Sequence, residues 1–134
     1  DILFDYRSCN LPKDLIFLSA TFQGKKDKKE NIKETIKKLK MKKEKAQPTR
    51  IKTGGSTFKN PIKQTNKKVW EIIKKSVPND IEFGDAAISN KHTNFFINKG
   101  NASFKDMKKL IDFVKNNVKN KTGVNLDLEI ILVE

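Results

Sequence analysis

Ser103-Phe104-Lys105-Asp106-Met107-Lys108-Lys109-Leu110-Ile111-Asp112-Phe113-Val114, running on to Gly123, is the stretch that decides the fold. Phe104, Met107, Leu110, Ile111, Val114 and Val118 recur at helical spacing and fall on one face. Ser103 stands at an N-cap with Asp106 at the reciprocal position, and Gly123 stands where a helix ends in a left-handed residue. Directly after it, from about 125 to 133, the pattern changes period. Leu126, Leu128, Ile130 and Leu132 share one face of a predicted strand, and Asp127, Glu129, Ile131 and Val133 share the other. A one-faced helix beside a one-faced strand requires a sheet packed on helices.

Working back from that helix, Phe95-Phe96-Ile97 reads as a strand ended by Asn98-Lys99-Gly100-Asn101. Ile81-Glu82-Phe83 and Ala86-Ala87-Ile88 are short strands broken by Gly84-Asp85, and Pro78-Asn79-Asp80 is a turn. A helix is expected from about 66 to 76, burying Val69, Trp70, Ile72 and Ile73. Another is expected from about 28 to 45, with a thin stripe of Ile32, Ile36 and Leu39 among lysines and glutamates. Leu15-Ile16-Phe17-Leu18-Ser19-Ala20-Thr21-Phe22 is a near-continuous apolar run that reads as a buried strand. The fold class is therefore α+β, a small sheet packed on two or three helices.

Composition narrows the function classes. The chain has 134 residues and a net charge of +13, which invites a nucleic-acid reading. Yet Arg7 and Arg50 are the only arginines among 29 basic residues, and the lysines are spread along the chain. Arginine is the side chain favoured for bidentate phosphate and base contacts. Phe95 and Phe96 are adjacent, so they point to opposite faces rather than forming a stacking platform. A solvated basic surface is the better reading, and a small basic nucleic-acid-binding module is kept as the alternative. The chain lacks an apolar run long enough to span a bilayer. Cys9 is the single cysteine, so no internal disulfide forms and a reducing, cytoplasmic setting is expected. His92 is the single histidine, which argues against a metal site; a structural hydrogen bond beside Phe95 is expected instead.

One segment concentrates polar chemistry: Lys52-Thr53-Gly54-Gly55-Ser56-Thr57-Phe58-Lys59-Asn60-Pro61. Two glycines permit a tight turn or close approach to a ligand, with the Ser56 hydroxyl and Asn60 amide presented beside it. A plain Gly-Gly turn with a polar tip fits the same residues. Arg7, beside Tyr6, is either a surface-turn residue or a guanidinium held at a binding site. Glu129 sits on a strand face that turns apolar after it, which suits either proton transfer or a solvent edge.

Taken together, Phe4-Asp5-Tyr6-Arg7-Ser8-Cys9, Gly54-Gly55-Ser56-Thr57-Phe58-Lys59-Asn60-Pro61 and Leu126-Asp127-Leu128-Glu129-Ile130 resemble, in this order and rough spacing, the C-terminal half of the UDP-N-acetylenolpyruvoylglucosamine reductase (MurB) family. Ser89-Asn90-Lys91-His92-Thr93-Asn94-Phe95 resembles that family's Ser-x-Lys-His-x-Asn-Phe segment, and Gln47-Pro48 sits where the family has it. The resemblance implies an NADPH-dependent UDP-N-acetylmuramate dehydrogenase of peptidoglycan biosynthesis. NADPH would reduce bound FAD, and hydride would pass to C3 of the enolpyruvyl group of UDP-N-acetylglucosamine enolpyruvate. It implies Ser56 as proton donor to C2, Arg7 and Glu129 as groups stabilising the developing enol, and Gly55 and Asn60 as substrate-binding residues.

The sequence departs from the family pattern in places. Cys9 takes a serine position, Gly84-Asp85-Ala86 replaces Gly-Gly-Ala, and an Arg-Gly pair is replaced within Pro78-Asn79-Asp80-Ile81. No insertion carries an extra tyrosine loop, which points to the shorter branch of the family. The resemblance implies three parts. Residues 1–27 would end an FAD-binding domain, 28–47 would be a linking helix, and 48–134 would be the substrate-binding domain with a returning final strand. Most of the flavin domain would then precede Asp1, and this chain by itself is expected to be inactive. A catalytically dead fragment that only pairs with another chain is a further expectation to test.

Overall fold

A computed structural model describes residues 2–12 and 14–133; Asp1, Lys13 and Glu134 lie outside the described residues. The chain divides into two compact units, residues 1–38 and 39–134, with the division falling inside a helix.

In the first unit, β1 (Phe4–Asp5) and β2 (Ser8–Cys9) form an antiparallel hairpin with Phe4 opposite Cys9 and Asp5 opposite Ser8. Tyr6 and Arg7 make its two-residue tip, and Arg7 takes φ 60°. The left-handed region suits the tight twist of such a hairpin but is uncommon for a long side chain. Asp5 Oδ1 accepts from the Tyr6 N–H at 2.7 Å, and Asn10 Oδ1 accepts from the Leu3 N–H at 2.9 Å, closing the base.

The strand predicted over 15–22 is not formed. Those residues carry no ladder, and Ile16, Phe17, Leu18 and Phe22 are exposed. Apolar β-type residues become a strand only where a neighbouring edge accepts their hydrogen bonds, and residues 15–22 pair with no strand among the described residues. Helix α1 (Lys29–Ala46) matches the predicted 28–45 closely and buries no residue, as its thin stripe implied.

The second unit holds the core. Its sheet has the order β3-β6-β5-β4, from β3 (Lys52–Ser56), β4 (Glu82–Phe83), β5 (Ala86–Ile88) and β6 (Phe95–Asn98), all antiparallel. Helices α2 (Val69–Ser76) and α3 (Phe104–Thr122) pack on each other, and α3 packs on β4 and β5. Phe58, Ile73, Leu110, Ile111, Val114, Val118 and Phe96 are buried at the centre, and the Phe58 and Phe96 rings meet edge to face at 5.7 Å.

Helix α3 forms as its pattern requires. Ser103 Oγ accepts from the Asp106 N–H at 3.1 Å while Asp106 Oδ2 accepts from the Ser103 N–H at 3.0 Å, and Gly123 ends the helix at φ 74°. Helix α2 starts three residues later than predicted and leaves Trp70 at 40% exposure rather than buried. Its buried set is Val69, Ile72, Ile73 and Ser76, and position 70 lies about 100° round the helix from 69.

Candidate functional site

The site grows from a strand that bends where its glycines are. Residues 52–56 were expected as a loop; they form the edge strand β3 instead. Thr53 pairs with Ile97 and Ser56 with Phe95, so three steps along β3 match two along β6. That extra residue is a β-bulge, and Gly55 supplies it with φ 85°, a conformation that glycine adopts without strain. Thr53 Oγ1 donates to the Phe96 carbonyl at 2.7 Å and accepts from the Gly55 N–H at 3.2 Å, which fixes the bulge from one side.

Beyond the bulge the chain is clamped on both edges. Thr57 and Phe58 are buried. On one edge, the Thr57 N–H donates to the Asn94 carbonyl at 2.8 Å, Asn94 Oδ1 accepts from the Phe58 N–H at 3.0 Å, and Asn94 Nδ2 donates to the Phe58 carbonyl at 2.9 Å. On the other, the Glu129 N–H donates to the Thr57 carbonyl and the Lys59 N–H to the Asp127 carbonyl, both at 2.9 Å.

The strand predicted over 125–133 thus shrinks to a single bridge between Leu128 and Phe58. Pro61 explains one end, because it has no N–H with which to carry the ladder on toward Asn125. Gln64 supplies the missing pair from its side chain: Nε2 donates to the Asn125 carbonyl at 2.8 Å and Oε1 accepts from the Asn125 N–H at 2.9 Å. At the other end Ile131 and Val133 are exposed.

The structure joins the backbone of Glu129 to that of Thr57, the residue after Ser56. Ser56 and Glu129 are both half-buried. Gly55 and Asn60 flank the same segment. Asn60 Oδ1 accepts from the Val69 N–H at 3.0 Å, so its amide caps the start of α2. Arg7 belongs to the other unit, on the hairpin tip with its guanidinium carbon 6.0 Å from the Tyr6 ring centre.

The loop from 89 to 94 closes the end of the sheet beside this segment. His92 does what was expected of it: Nδ1 accepts from the Asn94 N–H at 3.3 Å, and the ring meets Phe95 edge to face at 4.8 Å. Burial pushes its pKa below the ordinary value, with its backbone hydrogen bond opposing the shift. Thr93 Oγ1 donates to the Trp70 carbonyl at 2.6 Å, and Lys91 Nζ donates to the Glu44 carbonyl at 3.1 Å. Trp70, Lys74, Asn79, Asn90, Lys91 and His92 line a cavity of about 470 Å³. Phe95 and Phe96 are both buried, so neither offers a face for a nucleobase to stack on.

Asn94 is the residue that sequence reasoning left without a role. A polar side chain in a loop has no periodicity to reveal it, and only its two-point pairing with the Phe58 backbone shows what it does.

Residues 47–133 match the family described as UDP-N-acetylenolpyruvoylglucosamine reductase, C-terminal domain. The chain is 62% identical over 133 residues to the UDP-N-acetylenolpyruvoylglucosamine reductase of Pelagibacter ubique, covering 99% of this chain and 44% of that protein. It is 43% identical over 130 residues to the reductase of the same name from Rickettsia typhi, covering 97% of this chain and 43% of the relative. Among solved structures it superposes on the UDP-N-acetylenolpyruvylglucosamine reductase (MurB) from Thermus caldophilus with a TM-score of 0.73 at 30% identity, covering 96% of this chain and 44% of that one. The chain thus spans less than half the length of the curated relatives it matches.

Proposed function

The chain belongs to the UDP-N-acetylenolpyruvoylglucosamine reductase family, matched through its C-terminal domain, and from that premise we propose that it is the substrate-handling part of an NADPH-dependent oxidoreductase of peptidoglycan synthesis. Its substrate in this reading is UDP-N-acetylglucosamine enolpyruvate, reduced to UDP-N-acetylmuramate in the cytoplasm. Residues 1–27 would end the flavin domain, 28–47 link, and 48–134 bind substrate. The family match beginning at residue 47 supports the last of these boundaries.

Four of the six glycines are committed to other tasks. Gly54 and Gly55 are used in a strand bulge, Gly84 in a hairpin and Gly123 at a helix end, which leaves them no part in a glycine-opened cradle of N–H groups for a pyrophosphate. The reading therefore assigns FAD and NADPH mainly to the remainder of the full-length protein, of whose flavin domain residues 1–27 would be the end.

What this chain's residues would do is handle the proton and the developing charge. Hydride addition at C3 of the enolpyruvyl double bond leaves a carbanion at C2. Ser56 Oγ–H is a weak acid, but an adjacent carbanion is base enough to take its proton, and the serine alkoxide is then reprotonated from solvent. Arg7 would draw negative charge onto the substrate carboxylate, and Glu129 would stabilise the developing enol. Gly55 and Asn60 would hold substrate beside them. The observation that carries the reading is the pairing of 57–59 with 127–129, which sets Ser56 and Glu129 on adjoining backbone segments.

The test starts with the protein as expressed from its gene. A mass more than twice that of this 15.4 kDa chain, together with a yellow flavin band, is expected. Ser56→Ala should then lower reduction of the enolpyruvyl substrate by about 10²–10⁴-fold, to a residual rate, while flavin stays bound. Full activity in Ser56→Ala would overturn the assignment. A protein of this chain's mass, without flavin, would leave the alternative of a binding-only fragment.

A further inference from the structure

We infer that Asn94 is a positioning residue for the proton-donating site, holding Ser56 and Glu129 in mutual register through the backbone of Thr57 and Phe58. The inference rests on the role proposed for Ser56. Four observations support it. Asn94 is 3% exposed, so its carboxamide is fully committed to its partners. Its side chain satisfies both the N–H and the carbonyl of Phe58, and its own carbonyl receives the Thr57 N–H. The Thr57 carbonyl, on the same two-residue segment, receives the Glu129 N–H. The His92 ring nitrogen receives the Asn94 N–H, which anchors the loop that carries the carboxamide.

Without the carboxamide, nothing else described pairs with the Phe58 N–H and carbonyl, and two buried backbone groups lose their partners. The segment can regain those bonds only by shifting toward water or by re-pairing. Either shift moves Ser56, one residue upstream, and loosens the Glu129 pairing on the opposite edge. A misplacement of about 1 Å at reacting atoms costs on the order of a hundredfold in rate. Asn94 touches no reacting atom in this scheme and acts only through the residues it holds.

The experiment is a double-mutant cycle in the flavin-loaded protein expressed from its gene, comparing Asn94→Asp, Ser56→Ala and both together. Asn94→Asp keeps the acceptor for the Phe58 N–H and sets a carboxylate oxygen against the Phe58 carbonyl. It should lower kcat at least about tenfold with little change in KM, and the loss should vanish in the Ser56→Ala background. Leu110→Ala, on helix α3 and outside these hydrogen bonds, should lower stability without lowering kcat per folded molecule. Equal losses from Asn94→Asp in both backgrounds, no loss, or a loss confined to KM would overturn the inference. If Asn94→Asp does not fold, Asn94→Ser is read in its place; failure of both would make Asn94 a folding residue and overturn it equally. Full activity in Ser56→Ala would instead overturn the proposed role of Ser56, a separate outcome.

Discussion

Gly84 lies against Asp106: a Cβ at Gly84 would come 3.0 Å from Asp106 Oδ2. That oxygen also receives the Ser103 N–H and hydroxyl, so it cannot withdraw without giving up the α3 cap. Gly84 also has φ 55°, in the turn between β4 and β5. Gly84→Ala therefore meets a steric and a conformational cost together, and should destabilise the protein by about 1–3 kcal/mol. Thermal unfolding of the variant checks this. An unchanged Tm would show that the cap and turn relax independently.

Asn60→Ala removes the acceptor for the Val69 N–H and with it the cap on α2. A loss of about 1 kcal/mol is expected from the cap alone. Chemical denaturation without substrate is the deciding measurement, because a residue used only for substrate would leave that stability untouched.

Leu110→Ala opens a cavity in the core, at a side chain of α3 with no exposed surface. The expected cost is about 2–5 kcal/mol, with the upper part of that range enough to unfold a domain of this size. Circular dichroism melts report it directly.

His92 gives stability a pH dependence. Burial holds its folded pKa below the ordinary 6.5, so the unfolded chain binds the proton first as the pH falls. The contribution is complete above 6.5 and is lost as the pH drops from there toward the folded pKa. The ring is partly exposed, which keeps the slope shallow. Tm measured between about pH 7.5 and 5.5 should decline less in His92→Gln than in the parent protein. Parallel curves would assign the dependence to other groups.

How much of this could be read from the sequence depends on what defines each element. Helix α3 was legible because its apolar spacing, cap and terminal glycine are all local. The short strands 82–83, 86–88 and 95–98 were legible because turn residues bound them. The apolar runs at 15–22 and 125–133 misled, since a strand is defined by its partner and periodicity names none. Gly54-Gly55 misled for a different reason: the residues that permit a turn also permit a bulge inside a strand. Ser56, Arg7, Glu129, Gly55 and Asn60 are candidates by the order of their motifs, and their roles are proposals. The hold exerted by Asn94 and Gln64 could not, because it runs from side-chain amides to distant backbone.

The extra residue in β3 acts as a frameshift in the alternation of the strand. Counting in and out from Lys52 gives the correct face as far as Thr53 and the wrong one at Ser56, which falls on the Thr53 side although three steps along the chain separate them. Chimeras between this chain and a relative with an unbulged edge strand must therefore cross over outside 53–56. A junction within that interval would join two frames and turn the hydroxyl of Ser56 to the far side of the sheet.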